Sequence, residues 1–221
     1  MGLALSMEEK TLKVLIEQGA VDLGLGLSPA VLQSLVDYLL LLERWNRGVN
    51  LTAVRSLPEM VTHHILDCLA VVPPLRDLAA GRFWRIADVG TGAGLPGLVL
   101  AALCPNFVVT CIDSVEKKIA FVQQAIGVMR LNNVSALAAR VEGLAGPYDV
   151  VSCRAFASSA DVVALTGHLL GAEGFIAAMK GPRLAQEVTQ LPSAWQLTQA
   201  YYLQVPGLEE ARSLAIIRRA A

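Results

Sequence analysis

Along the first third of the chain, apolar residues recur three and four positions apart. Val31, Leu32, Leu35, Leu39, Leu42 and Trp45 form one such stripe, the spacing of an amphipathic helix with one buried face. Ser28 is suited to cap this helix, Pro29 to its first turn and Gly48 to its end. Ahead of it, Ser6-Met7-Glu8-Glu9 has the form of a capping box, in which Ser6 and Glu9 satisfy each other's orphan amides. Ser56 and Glu59 repeat the signal and predict a helix through His63, His64 and Leu69, stopped by Pro73-Pro74. Residues 1–75 are therefore expected to form an N-terminal helical extension.

From residue 83 the rhythm changes to short apolar runs separated by helical stretches. Phe83 to Val89 reads as a strand, followed by a glycine cluster and a helix starting near Pro96. Phe107 to Ile112 predicts a second strand, and Ser114 is expected to cap a helix carrying Val115, Ile119, Val122, Ile126 and Met129. Strands near Val134 to Ala139, Tyr148 to Cys153 and Phe175 to Met179 continue the alternation, with a helix from Ser158 to Leu170. Such β-α repetition implies a parallel sheet covered on both faces. Gln196 to Leu203 and Leu214 to Ile217, joined through Pro206-Gly207, predict an antiparallel pair at one edge. The expected fold class is α/β, with residues 76–221 forming one compact Rossmann-like core.

Composition narrows the possibilities. The chain has 221 residues, 54% of them hydrophobic, and a mean hydropathy of +0.52, which raises the question of a membrane. The apolar stretches are short and bounded by charge, Gly or Pro, and fall below the roughly 18 residues that a spanning helix needs. The first ten residues lack a basic segment followed by an apolar one, so a cytoplasmic protein without a membrane partner is expected. Cys68, Cys104, Cys111 and Cys153 show no C-x-x-C spacing, and the histidines are scattered at 63, 64 and 168, so neither metal nor disulfide is expected. A net charge of -1 requires any nucleic-acid contact to come from a local patch. Arg44, Arg47, Arg55, Lys180, Arg183, Arg218 and Arg219 are the candidates.

The chemistry concentrates where the first predicted strand ends, at Asp88-Val89-Gly90-Thr91-Gly92-Ala93-Gly94. Glycines there let the backbone turn sharply and let a ligand approach without a Cβ in the way. Gly92 to Gly97 formally fits the dinucleotide pattern G-x-G-x-x-G, yet its first glycine lies three residues beyond the strand's apolar end and a carboxylate sits within the strand. The arrangement resembles motif I of class I S-adenosylmethionine-dependent methyltransferases instead. Asp113 closes the second strand 23 residues after Gly90, close to where an acidic residue accepts hydrogen bonds from ribose hydroxyls.

Further segments make the resemblance specific. Leu95-Pro96-Gly97, Ile112-Asp113-Ser114, Arg140-Val141-Glu142 and Ser152-Cys153-Arg154-Ala155-Phe156-Ala157 occur in order, preceded by Trp45-Asn46, Asn50-Leu51-Thr52 and His64-Ile65-Leu66-Asp67. Together they resemble the 16S rRNA guanine-N7 methyltransferase family, formerly described as glucose-inhibited division protein B, from about residue 40 to Gly181. Ala93 and Cys68 depart from it, where Pro and Ser are common. The resemblance implies an enzyme that binds S-adenosyl-L-methionine and methylates a guanine of 16S rRNA, or of the small ribosomal subunit, with 527 as the expected position; a monomer is expected. It implies cofactor contacts from Asp88, Gly90, Gly92, Gly94, Leu95, Asp113, Val141, Glu142 and Arg154. Arg154 and His64 are its candidate catalytic residues, and Arg44, Arg47, Arg55 and Lys180 the candidate RNA contacts.

Other functions remain open on the residues alone. A small-molecule methyltransferase would need an apolar lid over the site, whereas Arg44, Arg47 and Arg55 flanking Asn50-Leu51-Thr52 look like a polar rim for RNA. A nicotinamide-dependent oxidoreductase would seat a pyrophosphate on the first helix of the core, and a non-catalytic nucleotide-binding module would lack turnover. Phe156 could stack on a base or belong to the core.

Overall fold

The computed structural model describes residues 6–220. Helix α1 (Met7–Asp22) opens on the expected capping box, with the Ser6 hydroxyl accepting from Glu9 N and the Glu9 carboxylate from Ser6 N. Helix α2 (Pro29–Val49) is capped by Ser28 and runs past Gly48. It stops at Asn50, which takes the left-handed conformation (φ 51°) that Asn tolerates better than most residues. The helix expected from Ser56 onward is interrupted. After α3 (Leu57–Met60) the backbone widens into a π-helical turn, Val61–Leu66, before α4 (Asp67–Leu69). Pro73 and Pro74 stop nothing; they lie in the first turn of α5 (Val72–Ala79), where a missing N–H leaves no bond unmade. The boundary expected at residue 75 falls inside this helix.

The core alternates as expected: β1 (Trp84–Val89), α6 (Gly97–Leu103), β2 (Phe107–Asp113), α7 (Glu116–Met129), β3 (Val134–Ala138), β4 (Tyr148–Arg154), α8 (Ser159–Thr166), β5 (Leu170–Lys180), α9 (Leu184–Val188), β6 (Trp195–Leu203) and β7 (Arg212–Arg219). Strand β5 begins five residues before the predicted Phe175, because a 3-10 turn at Gly167–Leu169 ends the preceding helix. Ser114 does not cap α7. No side chain caps it; the Asp113 carboxylate accepts from the amide of Val115, the residue just ahead of the helix, at 2.9 Å.

The seven strands lie in the order β3-β2-β1-β4-β5-β7-β6. The first five are parallel, and β7 and β6 add the antiparallel edge pair. Alternate residues along each strand face two separate cores. Ile86, Val109, Val150, Ala177 and Ile216 point to one face, Ala87, Val151, Ile176 and Ala215 to the other. The helical extension covers the first face and shares its core, since Leu12, Ile16, Leu35, Leu39, Leu42, Ile65 and Leu69 pack in one cluster with those strand residues. Each such side chain contributes roughly 1.5–3 kcal/mol by burial. No helix among the described residues is long and apolar enough to cross a membrane.

The chain runs outward from β1 through β2 to β3, then returns to place β4 on the other side of β1. That reversal opens a crevice at the carboxyl ends of β1 and β4, where open α/β sheets bind ligands.

Candidate active site

A cleft of about 410 Å³ occupies this crevice. Gly90, Asp113, Lys118, Val141, Glu142 and Phe156 are among the residues that line it. Gly90 has φ +66°, and a Cβ there would run into the Phe156 ring. The absence of a side chain at position 90 is thus what lets Phe156 close over the loop. The half-buried Phe156 belongs to the wall of the cleft and also packs on the second core.

Asp88 is fully buried and accepts three hydrogen bonds, from the Thr91 hydroxyl, from Gly97 N at 3.0 Å and from the Ser152 hydroxyl at 2.8 Å. Burial pushes its pKa upward, against three donors that favour the charged form. It therefore ties the loop, the start of α6 and β4 together, and its carboxylate does not line the cleft. A Cβ at Gly97 would meet Cys111 Sγ at 2.7 Å and Asp88 Oδ2 at 2.8 Å, so glycine is required for this approach. Because Gly97 N already donates to Asp88, the start of α6 offers this amide to no pyrophosphate, which argues against the dinucleotide reading.

Asp113 has a double task. Its Oδ2 accepts from Gly92 N at 3.1 Å and lies 3.5 Å from Lys118 Nζ, while Oδ1 accepts from Val115 N just ahead of α7. It still lines the cleft, with lone pairs left for a ligand hydroxyl. Gly92 and Gly94 shape the loop from outside the cleft, and Leu95 is buried in the core at 2% exposure. Thus Gly90, Asp113, Val141 and Glu142 of the expected cofactor set come together, while Asp88, Gly92, Gly94 and Leu95 support them from behind.

Arg154 lies next to this cleft and lines a smaller one of about 250 Å³ with His63, Asp67 and Arg212. Its guanidinium donates to the His63 carbonyl at 2.9 Å and to Asp67 Oδ2 at 3.1 Å. Arg212 Nε sits 3.4 Å from the other Asp67 oxygen. The π-helical turn thus presents a carbonyl, and the first residue of α4 a carboxylate, to the end of β4, a use of local irregularity common at functional sites. Arg154 is held by protein groups and acts as a strut between β4 and the extension.

The two adjacent histidines diverge as their helical positions require. His63 is exposed and lines the smaller cleft. His64 points inward, with Nε2 2.8 Å from the Thr52 hydroxyl and Nδ1 buried without a partner among the described residues. Burial, reinforced by the Arg154 guanidinium, pushes its pKa down to about 4. That placement keeps His64 out of the lining of these clefts.

Lys180 also departs from expectation. It is buried, donating at 2.7 Å to both the Ala157 carbonyl and Glu187, whose Oε2 in turn accepts from Ser159 N and Oγ. It braces the loop that carries Phe156 and is not free to meet RNA. Arg44 and Arg47 are exposed on α2, Arg47 paired with Glu43 at 2.7 Å, and exposed Arg55 donates to the Asn46 carbonyl and to Asn50. Arg218 and Arg219 lie at the opposite end of the sheet, donating to carbonyls of Glu173 and Gly171.

Several of these pairings carried no legible signal. Asp67, Arg212, Glu187 and Ser159 are far apart in sequence and only the fold pairs them. Tyr38 is fully buried, and its hydroxyl donates to the Ala93 carbonyl at 2.8 Å, joining α2 to the glycine loop. A phenol on the buried face of a leucine-rich helix needs such a partner, and that was its one available sign. Among the described residues no three His, Cys, Asp or Glu side chains are grouped to hold a metal.

Residues 31–215 match the family described as rRNA small subunit methyltransferase G. A ribosomal RNA small subunit methyltransferase G from an Acidovorax strain is 48% identical over 214 residues, covering 93% of this chain and 95% of its own. Among solved structures, TrmN from Thermus thermophilus superimposes with a TM-score of 0.56 at 19% identity, over 72% of this chain and 53% of its own. The N-methyltransferase NodS from Bradyrhizobium japonicum gives 0.54 at 15% identity, over 72% and 99%. These likenesses establish the shared fold.

Proposed function

The chain belongs to the rRNA small subunit methyltransferase G family, and from that premise we propose that it methylates guanine N7 in 16S rRNA, with 527 as the expected position. The methyl donor is S-adenosylmethionine, which when bound supplies a methyl group carried on a sulfonium. The cleft suits this cofactor. It combines a carboxylate for ribose hydroxyls at Asp113, an apolar and acidic turn for adenine at Val141 and Glu142, and a side-chain-free wall at Gly90.

Guanine N7 carries an in-plane lone pair and no proton at neutral pH, so no residue of this chain has to act as a base. The protein's task is alignment: holding the acceptor at near-attack distance makes a bimolecular reaction effectively unimolecular. A neutral, inward-facing His64 agrees with that, as does an Arg154 whose charge is engaged by Asp67 instead of standing beside the reacting atoms. In this reading Arg44, Arg47 and Arg55 approach RNA phosphates. The protein works as a monomer in the cytoplasm, where its 16S rRNA or small-subunit partner is. No metal takes part, since displacement at a sulfonium carbon needs no Lewis acid.

The observation that carries the reading is the coincidence of family membership with a cleft whose lining matches the cofactor's chemistry. Incubation with methyl-labelled S-adenosylmethionine and either naked 16S rRNA or 30S subunits, followed by nucleoside analysis, tests it. Labelled 7-methylguanosine is expected. Label on an exocyclic amine or a ribose oxygen would overturn the acceptor and the base-free mechanism together.

A further inference from the structure

We propose that Glu210 recognises the Watson–Crick edge of the acceptor guanine and so determines base specificity, an inference that rests on the guanine-N7 reading above. Two clefts of about 260 and 250 Å³ adjoin the cofactor cleft at Ala155 and share Met179, Lys180, Gly181 and Glu210. A purine that presents N7 toward the cofactor cleft turns its opposite edge, with N1–H and the 2-amino group, toward this side. Two adjacent donors call for a carboxylate, whose two oxygens only accept.

Three carboxylates line these clefts. Asp67 is 4% exposed and lies between Arg154 and Arg212. Glu187 is held by Lys180 and Ser159 in the brace beneath Phe156. Glu210 alone lines both clefts, and its side chain is 57% exposed. Its Oε2 accepts from Arg212 Nη1 at 2.7 Å, and its Oε1 takes no hydrogen bond among the described residues. Arg212 Nε lies in turn 3.4 Å from Oδ1 of buried Asp67, an ion pair without a hydrogen bond, so Glu210 pairs with an arginine that itself faces the buried carboxylate.

Electrostatics gives the contact a role beyond binding. Methylation at N7 leaves positive charge on the ring and makes N1–H and the 2-amino group stronger donors. A carboxylate at that edge therefore binds the transition state more tightly than the ground state, which raises the rate. Adenine offers an acceptor at N1 in place of the donor, and would be repelled.

The test uses 30S subunits reconstituted with 16S rRNA carrying either guanosine or inosine at the methylated position; inosine lacks the 2-amino group. In single turnovers the natural protein should prefer guanosine by about tenfold or more, the effect of one hydrogen bond to a charged group. Glu210→Gln should slow guanosine methylation about tenfold to a hundredfold, bring the guanosine-to-inosine ratio close to one, and leave S-adenosylmethionine affinity unchanged. Glu210→Asp should restore part of the ratio. A ratio that Glu210→Gln leaves unaltered overturns this proposal alone. Failure of the natural protein to methylate N7 on either substrate overturns the guanine-N7 reading and this inference with it.

Discussion

On the cofactor side of the groove, the loop from Gly90 to Gly97 is shaped by backbone: positive φ at Gly90, Gly92 and Gly94, and amides of Gly92 and Gly97 bound to Asp113 and Asp88. On the side proposed for the acceptor the walls stand on paired long side chains: Arg154 and Arg212 with Asp67 across the chain, and Lys180 with Glu187 and Arg212 with Glu210 over a few residues. The first construction rests on the backbone of one loop and the carboxylates that bind its amides. The Asp67 pairs of the second meet only when the extension, the end of β4 and the start of β7 are all in place. Cofactor binding and RNA methylation should therefore be separable by mutation.

The largest effect is expected at Asp88. Asp88→Ala leaves three buried donors without an acceptor and should lower stability by about 3 kcal/mol or more, read from the denaturant midpoint. A midpoint close to that of the natural protein would show that the loop does not depend on this carboxylate. Asp67→Asn attacks the other side. It removes the charge that holds two arginines and should cut turnover on RNA by about tenfold or more, while calorimetry finds S-adenosylmethionine affinity unchanged. Equal losses in both would erase the distinction between the two sides.

Gly90→Ala reverses that pattern. The left-handed φ and the Phe156 ring both oppose a Cβ, and cofactor affinity should fall about tenfold, equivalent to about 1.4 kcal/mol. Unchanged affinity would mean that Phe156 moves freely and does not form the wall. The smallest expected effect is that of pH on the chemical step. His64, with its pKa near 4, stays neutral in the folded protein, so single-turnover rates should vary little between about pH 6.5 and 8.5. Stability behaves differently. Because the folded pKa is depressed, the unfolded chain takes up the proton first, and the stability present above pH 6.5 is lost as pH falls toward 4. A tenfold rise in rate per pH unit that His64→Ala abolishes would make His64 a base after all.

The same contrast explains what the sequence made legible. The strands, the glycine loop and the edge pair follow from period-two runs and turn residues, which are local signals, and Asp113, Val141 and Glu142 sit at strand ends that the pattern locates. Roles that depend on what lies opposite were not legible. Lys180 and Arg154 look like free cations beside their neighbours in sequence, and only the fold shows Glu187 and Asp67 facing them. Asp88 reads as a cofactor ligand because its position in the motif is plain, whereas the Ser152 hydroxyl that occupies it comes from a strand 64 residues away. The π-helical turn at Val61–Leu66 left no mark in the apolar spacing, and it carries both histidines.

Strand scission at 7-methylguanosine, after borohydride reduction and aniline treatment of 16S rRNA recovered from subunits incubated with the protein and S-adenosylmethionine, tests the central claim most directly. One new break at guanine 527, absent when the cofactor is omitted, is the predicted result. Methyl incorporation without any break would contradict guanine N7 as the acceptor.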